Sequence, residues 1–465
     1  MKNFTFTIQT KTLLADTLTP VSVYLRLRDV FAGTLLLESS DYHGQENSLS
    51  LICCDPIATF TVRGNEVHIN WPDRTKEIFN FSHPHQVSAM LEQFRQAFRV
   101  DKTHVQAGLF GYLSYDAVRF FEEVHLRHEN NLIPLMQFSV YRFVLVIDHF
   151  FNELKLLELK GNCTGGMDME KLQQIVFDGR YPHYDFKRTN GEVSNFTDAA
   201  FLGCVEKAIA HCHRGNVFQL VLSRRFETGF RGDEFNVYRA LRSINPSPYL
   251  FYFDYGNFRI FGSSPEAQVQ VRGNEVRVYP IAGTFRRTGN DQQDAELARK
   301  LAADTKENAE HNMLVDLARN DLSRYASKVK VEVFKEIQYY SHVIHLVSKV
   351  TGMLPHNFNP VQVAGATFPA GTLSGAPRHK AIGLIDELEN VSRGFYGGAI
   401  GYFGFNGSVN LAILIRSFLS IRNTLIYQAG AGVVAKSIPE NELQEVNNKL
   451  AALRKAMEIA ENLKT

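Results

Sequence analysis

The sequence predicts an α+β fold built from antiparallel sheets flanked by helices. Runs of alternating apolar residues fill both halves of the chain, and the hexapeptide VRGNEV recurs at 62–67 and 271–276 with Gly-Asn where a hairpin needs its turn. Helical periodicity is confined to a few long stretches, at about 291–326, 378–390 and 439–462.

With 465 residues the chain exceeds what one core supports, so two domains or two closely packed halves are expected. Its 45% hydrophobic and 21% charged residues, with a formal charge of +1, describe an ordinary globular protein. No polybasic tail or stripe points to nucleic acid as a partner. The start, MKNFTFTIQTKTLLAD, lacks the apolar core of a signal peptide, and no run reaches the length of a membrane span. A cytoplasmic protein without a membrane partner is the expectation. Five cysteines, with Cys53 and Cys54 adjacent, fit reduced thiols, and Cys204, His211, Cys212 and His213 lack the C-x-x-C spacing of a zinc site.

The two hairpins align further back. Pro56 falls opposite Pro265, and the next position is Ile57 in one copy and Glu266 in the other. Each half also carries a later Gly-Tyr strand, GLFGYLSY from Gly108 and GGAIGYFGF from Gly397. Both features suggest a duplication whose chemistry survives in the second half. A polar seam at about 162–196 separates an N-terminal unit, 1–185, from a C-terminal one, 190–465. After it, Thr197 reads as the N-cap of a helix through Phe201, Val205 and Ala208 that ends near Gly215, followed by the strand FQLVLSRRFETG.

Two acidic pairs stand out, Glu307 with Glu310 and Glu442 with Glu445, each spaced to share a helix face. Gathered together they would repel, so the arrangement suits a hard cation such as Mg²⁺, which takes one or two carboxylates and keeps room for water and an anionic substrate. Ala309, Met313, Leu314 and Leu317 predict that the first of these helices is largely buried. Lys449 lies one turn after Glu445, where it either holds a further carboxylate or forms a helix ion pair. GAGVVA, at 430–435, satisfies G-x-G-x-x-A, yet no further strand or ribose-binding acid follows, so exposed amides that cradle a carboxylate, or a plain turn, replace the dinucleotide reading. PAGTLSGAP, at 369–377, lacks the lysine of a phosphate loop but offers Thr372 and Ser374 as donors.

Taken in order, SPYLFYFD, GSSPE, PIAGT, KENAEHNMLVDLARNDL, SHVIHLVS, PAGTLSGAP, RGFYGGAIGYF, AILIRS and GAGVVA resemble the chorismate-utilising enzymes, and among them the component I branch of anthranilate synthase, over essentially the whole chain. The resemblance implies two interleaved subdomains in a sandwich-like α/β arrangement that binds chorismate and Mg²⁺. It assigns Glu310 and Glu445 as direct metal ligands, with Glu307 and Glu442 acting through metal-bound water. Arg416 and Tyr396, with the amides around Gly430, Ala431 and Gly432, match positions that hold the enolpyruvyl carboxylate. Glu266 matches the general acid that protonates the departing hydroxyl, and His345 and Thr372 match substrate-contacting positions. Water-adding members carry a lysine base where this chain has Gln219, which implies ammonia as nucleophile. Aminodeoxychorismate synthases usually carry a lysine in PIxGT, where Ala282 precedes Gly283 and Thr284 here; that favours anthranilate over the aminodeoxychorismate alternative. No cysteine lies in a G-x-C-x-G elbow, so a separate glutamine amidotransferase subunit is implied as partner. LLESS (Glu38, Ser39, Ser40) and NPSPYL (Asn245, Pro246, Ser247, Tyr249, Leu250) resemble the tryptophan feedback site, where binding is implied more firmly than inhibition. Ser323 in place of a usual glycine, and FRRTG after PIAGT, depart from the family pattern.

Overall fold

The computed structural model describes residues 2–39, 48–101, 106–129, 131–162, 165–339 and 343–463, with side chains described for all of these except Thr284, Arg286 and Lys306. One antiparallel row runs through Phe4–Leu14, Glu153–Lys160, Met136–Asp148, Leu49–Arg63, Leu35–Glu38, Tyr249–Asp254, Phe258–Ser264, Ser417–Ile421, Thr424–Val434 and Gln219–Gly232. A second row starts at Lys76–Asn80 and Glu66–Asn70 and passes through the far ends of Leu49–Arg63 and Met136–Asp148. It continues through Gly108–Leu113, Ala399–Gly404, Val409–Ile413, Ala267–Arg272 and Glu275–Val278 to Val343–Met353. Aromatic and aliphatic residues such as Phe110, Tyr141, Phe251 and Ile400 fill the space between the rows, while helices cover the outer faces.

From the central pairs outward, the two halves mirror each other strand for strand. Both VRGNEV segments are hairpins, closed at Arg63↔Glu66 and Arg272↔Glu275. The two Gly-Tyr strands pair with one another at the centre, Gly111 opposite Gly401, and a Cβ on either would stand 2.0 Å from a carbonyl oxygen of the next strand. The halves differ at one place. In the first, Leu49–Arg63 and Met136–Asp148 pass through both rows, with only a bulge between Pro56 and Ala58. In the second, both counterparts are cut: Phe258–Ser264 gives way to Ala267–Arg272 across Pro265 and Glu266, and Val409–Ile413 gives way to Ser417–Ile421 across Leu414, Ile415 and Arg416. Arg416 has φ 49°, in the left-handed region; Asp55, at φ 61° beside the bulge of the first half, shares that conformation.

The helix Asp198–His213 begins at Thr197, whose hydroxyl accepts the Ala200 N–H at 3.2 Å, as expected. The stretch expected as one helix over 291–326 is two, Asp291–Ala303 and Thr305–Ser323. Asp304 between them is extended, and its carboxylate accepts the Glu307 N–H at 3.0 Å, capping the second helix instead of continuing the first. The seam is likewise more than a linker, because it contains the helix Met169–Asp178 and two short strands that pair with Gln219–Gly232.

Candidate active site

The two strand breaks are adjacent and interrupt the ladder at Glu266 and Arg416. The backbone still closes across the gaps: Ile413 N–H donates to the Glu266 carbonyl at 3.0 Å and Ser263 N–H to the Arg416 carbonyl at 3.1 Å. Thr372, in the short 3-10 turn Gly371–Leu373, donates its hydroxyl to Glu266 Oε1 at 3.1 Å. Half-buried by surface area but surrounded by protein, the Glu266 carboxyl is pushed up to about 8 by burial, against the pull of Thr372, Lys449 and Arg416. At neutral pH it carries a proton. Burial also presses the Arg416 guanidinium below its ordinary value, with Glu266 opposing; its Nη1 lies 3.5 Å from Asn245 Oδ1.

Gly430, Ala431 and Gly432 sit inside the strand Thr424–Val434, opposite Ser223, Leu222 and Val221. This rules out the plain-turn alternative, because the ladder and a buried Ala431 side chain require extended backbone here. Alternation then turns Gly430 and Gly432 to the same face. A Cβ at Gly432 would stand 2.6 Å from Gln219 Nε2 and 3.6 Å from Glu310 Oε1, and one at Gly430 would stand 3.1 Å from the Tyr396 hydroxyl. The glycines therefore make room for Gln219, Glu310 and Tyr396. Gln219 Nε2 donates to Glu310 Oε1 at 2.8 Å, and Lys449 Nζ bridges the Gly430 carbonyl, at 2.9 Å, and Glu445 Oε1, at 2.7 Å.

Gly283 forms a bulge at φ 67° in the strand Ile281–Arg286, between Ala282 (opposite Leu346) and Thr284 (opposite His345). The bulge aims the Gly283 carbonyl at His345 Nδ1, 2.9 Å away, so Nδ1 carries the proton and Nε2 is the acceptor nitrogen. Burial, helped by Arg416, depresses the imidazole to about 4, so His345 is neutral. Glu307 Oε2 lies 3.2 Å from where a Gly283 Cβ would be.

The acidic pairs stand on two helices, Thr305–Ser323 and Pro439–Ala460. Glu310 stands beside Gly432, and Glu445 is joined to the Gly430 carbonyl through Lys449, with the two glycines about 7 Å apart along the strand. Glu442, one turn before Glu445, is buried. Among the described residues no three His, Cys, Asp or Glu side chains form a ready-made metal shell. Carboxylate oxygens that flank a two-glycine gap fit a hard ion that keeps its waters and takes substrate oxygens, rather than one enclosed by protein.

The elements resembling a tryptophan site also meet, in the sheet: Glu38 pairs across from Leu250. Glu38 is buried and already engaged, by Arg242 Nε at 2.9 Å and Nη2 at 2.8 Å and by the Tyr238 hydroxyl at 2.5 Å. Ser39 N–H donates to the Leu49 carbonyl at 3.1 Å, Asn245 caps the helix Phe235–Ile244, Pro246 follows it, Ser247 is buried, and the Tyr249 hydroxyl accepts from Gln270 at 2.5 Å. Ser40 and the Thr284 side chain lie outside the described residues. Sequence reading missed the buried pair Arg393–Glu389 directly behind Tyr396, because a charged pair in a glycine-rich motif gives no periodic sign of burial.

Fold and site together define a class, the enzymes that bind chorismate: the family model described as chorismate binding enzyme matches residues 34–455, and the chain belongs to that family. Its relatives place it in the anthranilate synthase component I branch. It is 37% identical over 475 residues to anthranilate synthase component 1 of Aquifex aeolicus, covering 97% of this chain and 94% of that protein. With the namesake from Thermus thermophilus it shares 36% identity over 470 residues, 97% of this chain and 98% of that one. The crystal structure of anthranilate synthase component I from Streptococcus pneumoniae matches with a TM-score of 0.75 at 31% identity, over 95% of this chain and 99% of that one. Among the described residues no helix is long and apolar enough to cross a membrane.

Proposed function

We propose that this chain converts chorismate and ammonia to anthranilate and pyruvate, the first step of tryptophan biosynthesis, with ammonia supplied from glutamine by a separate amidotransferase subunit. The observation that carries the reading is Glu266 in the strand gap, bonded by the Thr372 hydroxyl, pushed up to about 8 by burial and facing Arg416 and Lys449. Relatives named component 1 support the existence of a second component.

Arg416 would hold one substrate carboxylate as a two-pronged donor, with the Tyr396 hydroxyl beside it. Glu266 gives its proton to the departing ring hydroxyl, which leaves as water while ammonia bonds to the ring carbon next to the carboxylate. Gln219, uncharged and tied to Glu310, cannot activate water as a lysine base would, and this leaves ammonia as the attacking group. Neutral His345 can take the ring proton through Nε2 as the bond from the ring to the enolpyruvyl oxygen breaks, and pass it to the departing enolate, which leaves as pyruvate while the ring becomes aromatic. Glu310 and Glu445, backed by Glu307 and Glu442, would hold Mg²⁺, which when bound neutralises the ring carboxylate and stabilises developing negative charge. Tryptophan is proposed as a feedback ligand near Glu38, Ser39 and residues 245–250, where its ammonium must share Glu38 with Arg242.

Chorismate, Mg²⁺ and ammonium incubated with the chain should yield fluorescent anthranilate plus pyruvate, and added tryptophan should slow their formation. A non-aromatic amino adduct would identify an aminodeoxychorismate synthase instead, and no product would refute the enzymatic reading.

A further inference from the structure

We propose that Arg393 is a positioning residue which, through Glu389, locks three site-bearing segments into one geometry without touching the substrate. The inference rests on the chorismate reading above. The Arg393 and Glu389 side chains are 1% and 4% exposed. Arg393 Nε donates to Glu389 Oε2 at 2.9 Å and Nη2 to Glu389 Oε1 at 2.6 Å. The same guanidinium donates to the Leu373 carbonyl at 2.5 Å and the Val221 carbonyl at 2.7 Å. Its plane lies 4.7 Å from the Tyr115 ring and 5.9 Å from the Tyr396 ring.

Each contact leads to a site residue. Leu373 follows Thr372, the partner of Glu266. Val221 lies opposite Gly432 and two residues beyond Gln219. Glu389 Oε1 also accepts the N–H and the O–H of Ser223, both at 2.8 Å, and Ser223 lies opposite Gly430. Gly394, the next residue, is clamped by Asp116 Oδ2, which accepts its N–H at 3.0 Å, and by Tyr115 N–H, which donates to its carbonyl at 2.7 Å. That clamp sets where Tyr396 stands.

A rigid planar fork is required to serve this set of acceptors, and a lysine ammonium has no such geometry. The ion pair itself adds little net stability, because a buried pair replaced on both sides by apolar residues of similar volume is often neutral, but the Leu373 and Val221 carbonyls and the Ser223 donors lose their partners with it. Kinetic constants measured well below the melting temperature therefore separate positioning from mere packing.

The test compares wild type with the double variant Arg393→Met/Glu389→Met and with Arg393→Lys, by thermal melting and by kcat and KM for chorismate with ammonium and Mg²⁺. The double variant should melt below wild type but stay folded at the assay temperature, and lose about 10²-fold in kcat/KM, the scale of a small misplacement of reacting groups. Its alkaline activity limb should also move to higher pH, because a loosened Thr372 no longer donates to the Glu266 carboxylate, while Lys449 and Arg416, the charges facing Glu266, are untouched. Thr372→Val should reproduce that limb shift. A folded double variant with wild-type constants and an unmoved limb overturns the proposal. Should it not fold, Arg393→Lys carries the test, with the same loss expected and normal constants overturning it. Absence of anthranilate from the wild type refutes the functional reading, whereas normal wild type with unaffected variants refutes the positioning role alone.

Discussion

Glu266 is the residue whose environment differs most from its counterpart. Ile57, its equivalent in the first half, sits at a bulge in an unbroken strand, whereas Glu266 occupies a gap where burial pushes it up to about 8. As a general acid it works protonated, so kcat/KM should fall as pH rises through about 8. Glu266→Gln should lower kcat by about 10²- to 10⁴-fold and remove that limb. The same shift has a sign in stability. A carboxyl raised from 4.5 to about 8 favours the fold fully below pH 4.5 and progressively less as pH rises through 8. Glu266→Gln should therefore raise the melting temperature more at pH 9 than at pH 5. Asp116, raised to about 7 by burial, has the same sign and will leave a residual slope in that variant. At this scale the sequence was legible for Glu266, through the mismatch between its two copies, and for the glutamate pairs, through helical spacing. Arg393 and the Arg242 partner of Glu38 were not legible, because the four-residue spacing of Glu389 and Arg393 does not reveal their burial and the pairing of Glu38 with Arg242 spans distant parts of the chain.

Secondary elements were read well where turn or cap chemistry is local, as at both VRGNEV hairpins and at Thr197. They were misread where a side chain overrides periodicity, as when the Asp304 carboxylate caps a new helix inside an apolar repeat. In GAGVVA the plain-turn alternative is excluded: its glycines lie in a strand and clear space for Gln219, Glu310 and Tyr396, and only the neighbouring strand and helices show this. Glycine substitutions check the reading in both directions. Gly111→Ala places a Cβ 2.0 Å from the Gln137 carbonyl and should destabilise by about 1–3 kcal/mol, the usual cost of overpacking. Gly383→Ala, in the helix Arg378–Leu388 with nothing within 4 Å of its Cβ, should stabilise by about 0.5–1 kcal/mol. Thermal melts of the pair should move in opposite directions.

The whole molecule is two mirrored halves that share both sheets. Leu35–Glu38 pairs with Tyr249–Asp254, and Gly108–Leu113 pairs with Ala399–Gly404, so neither half keeps closed edges by itself. Denaturant unfolding should therefore be a single cooperative transition, and 190–465 expressed alone should aggregate rather than fold. Two resolved transitions, or a monomeric, folded C-terminal piece, would count against shared sheets as the basis of stability.

By itself the sequence determined the strands, the hairpins, the shared helix faces of the acids and the family, because these depend on residues close in the chain or on motifs in fixed order. Only the tertiary structure decided that two broken strands open the site, that paired glycines make room for Gln219 and Tyr396, and that a buried guanidinium joins the parts. Those features depend on burial and on contacts between residues far apart in the chain, and both arise only when the two halves close on each other.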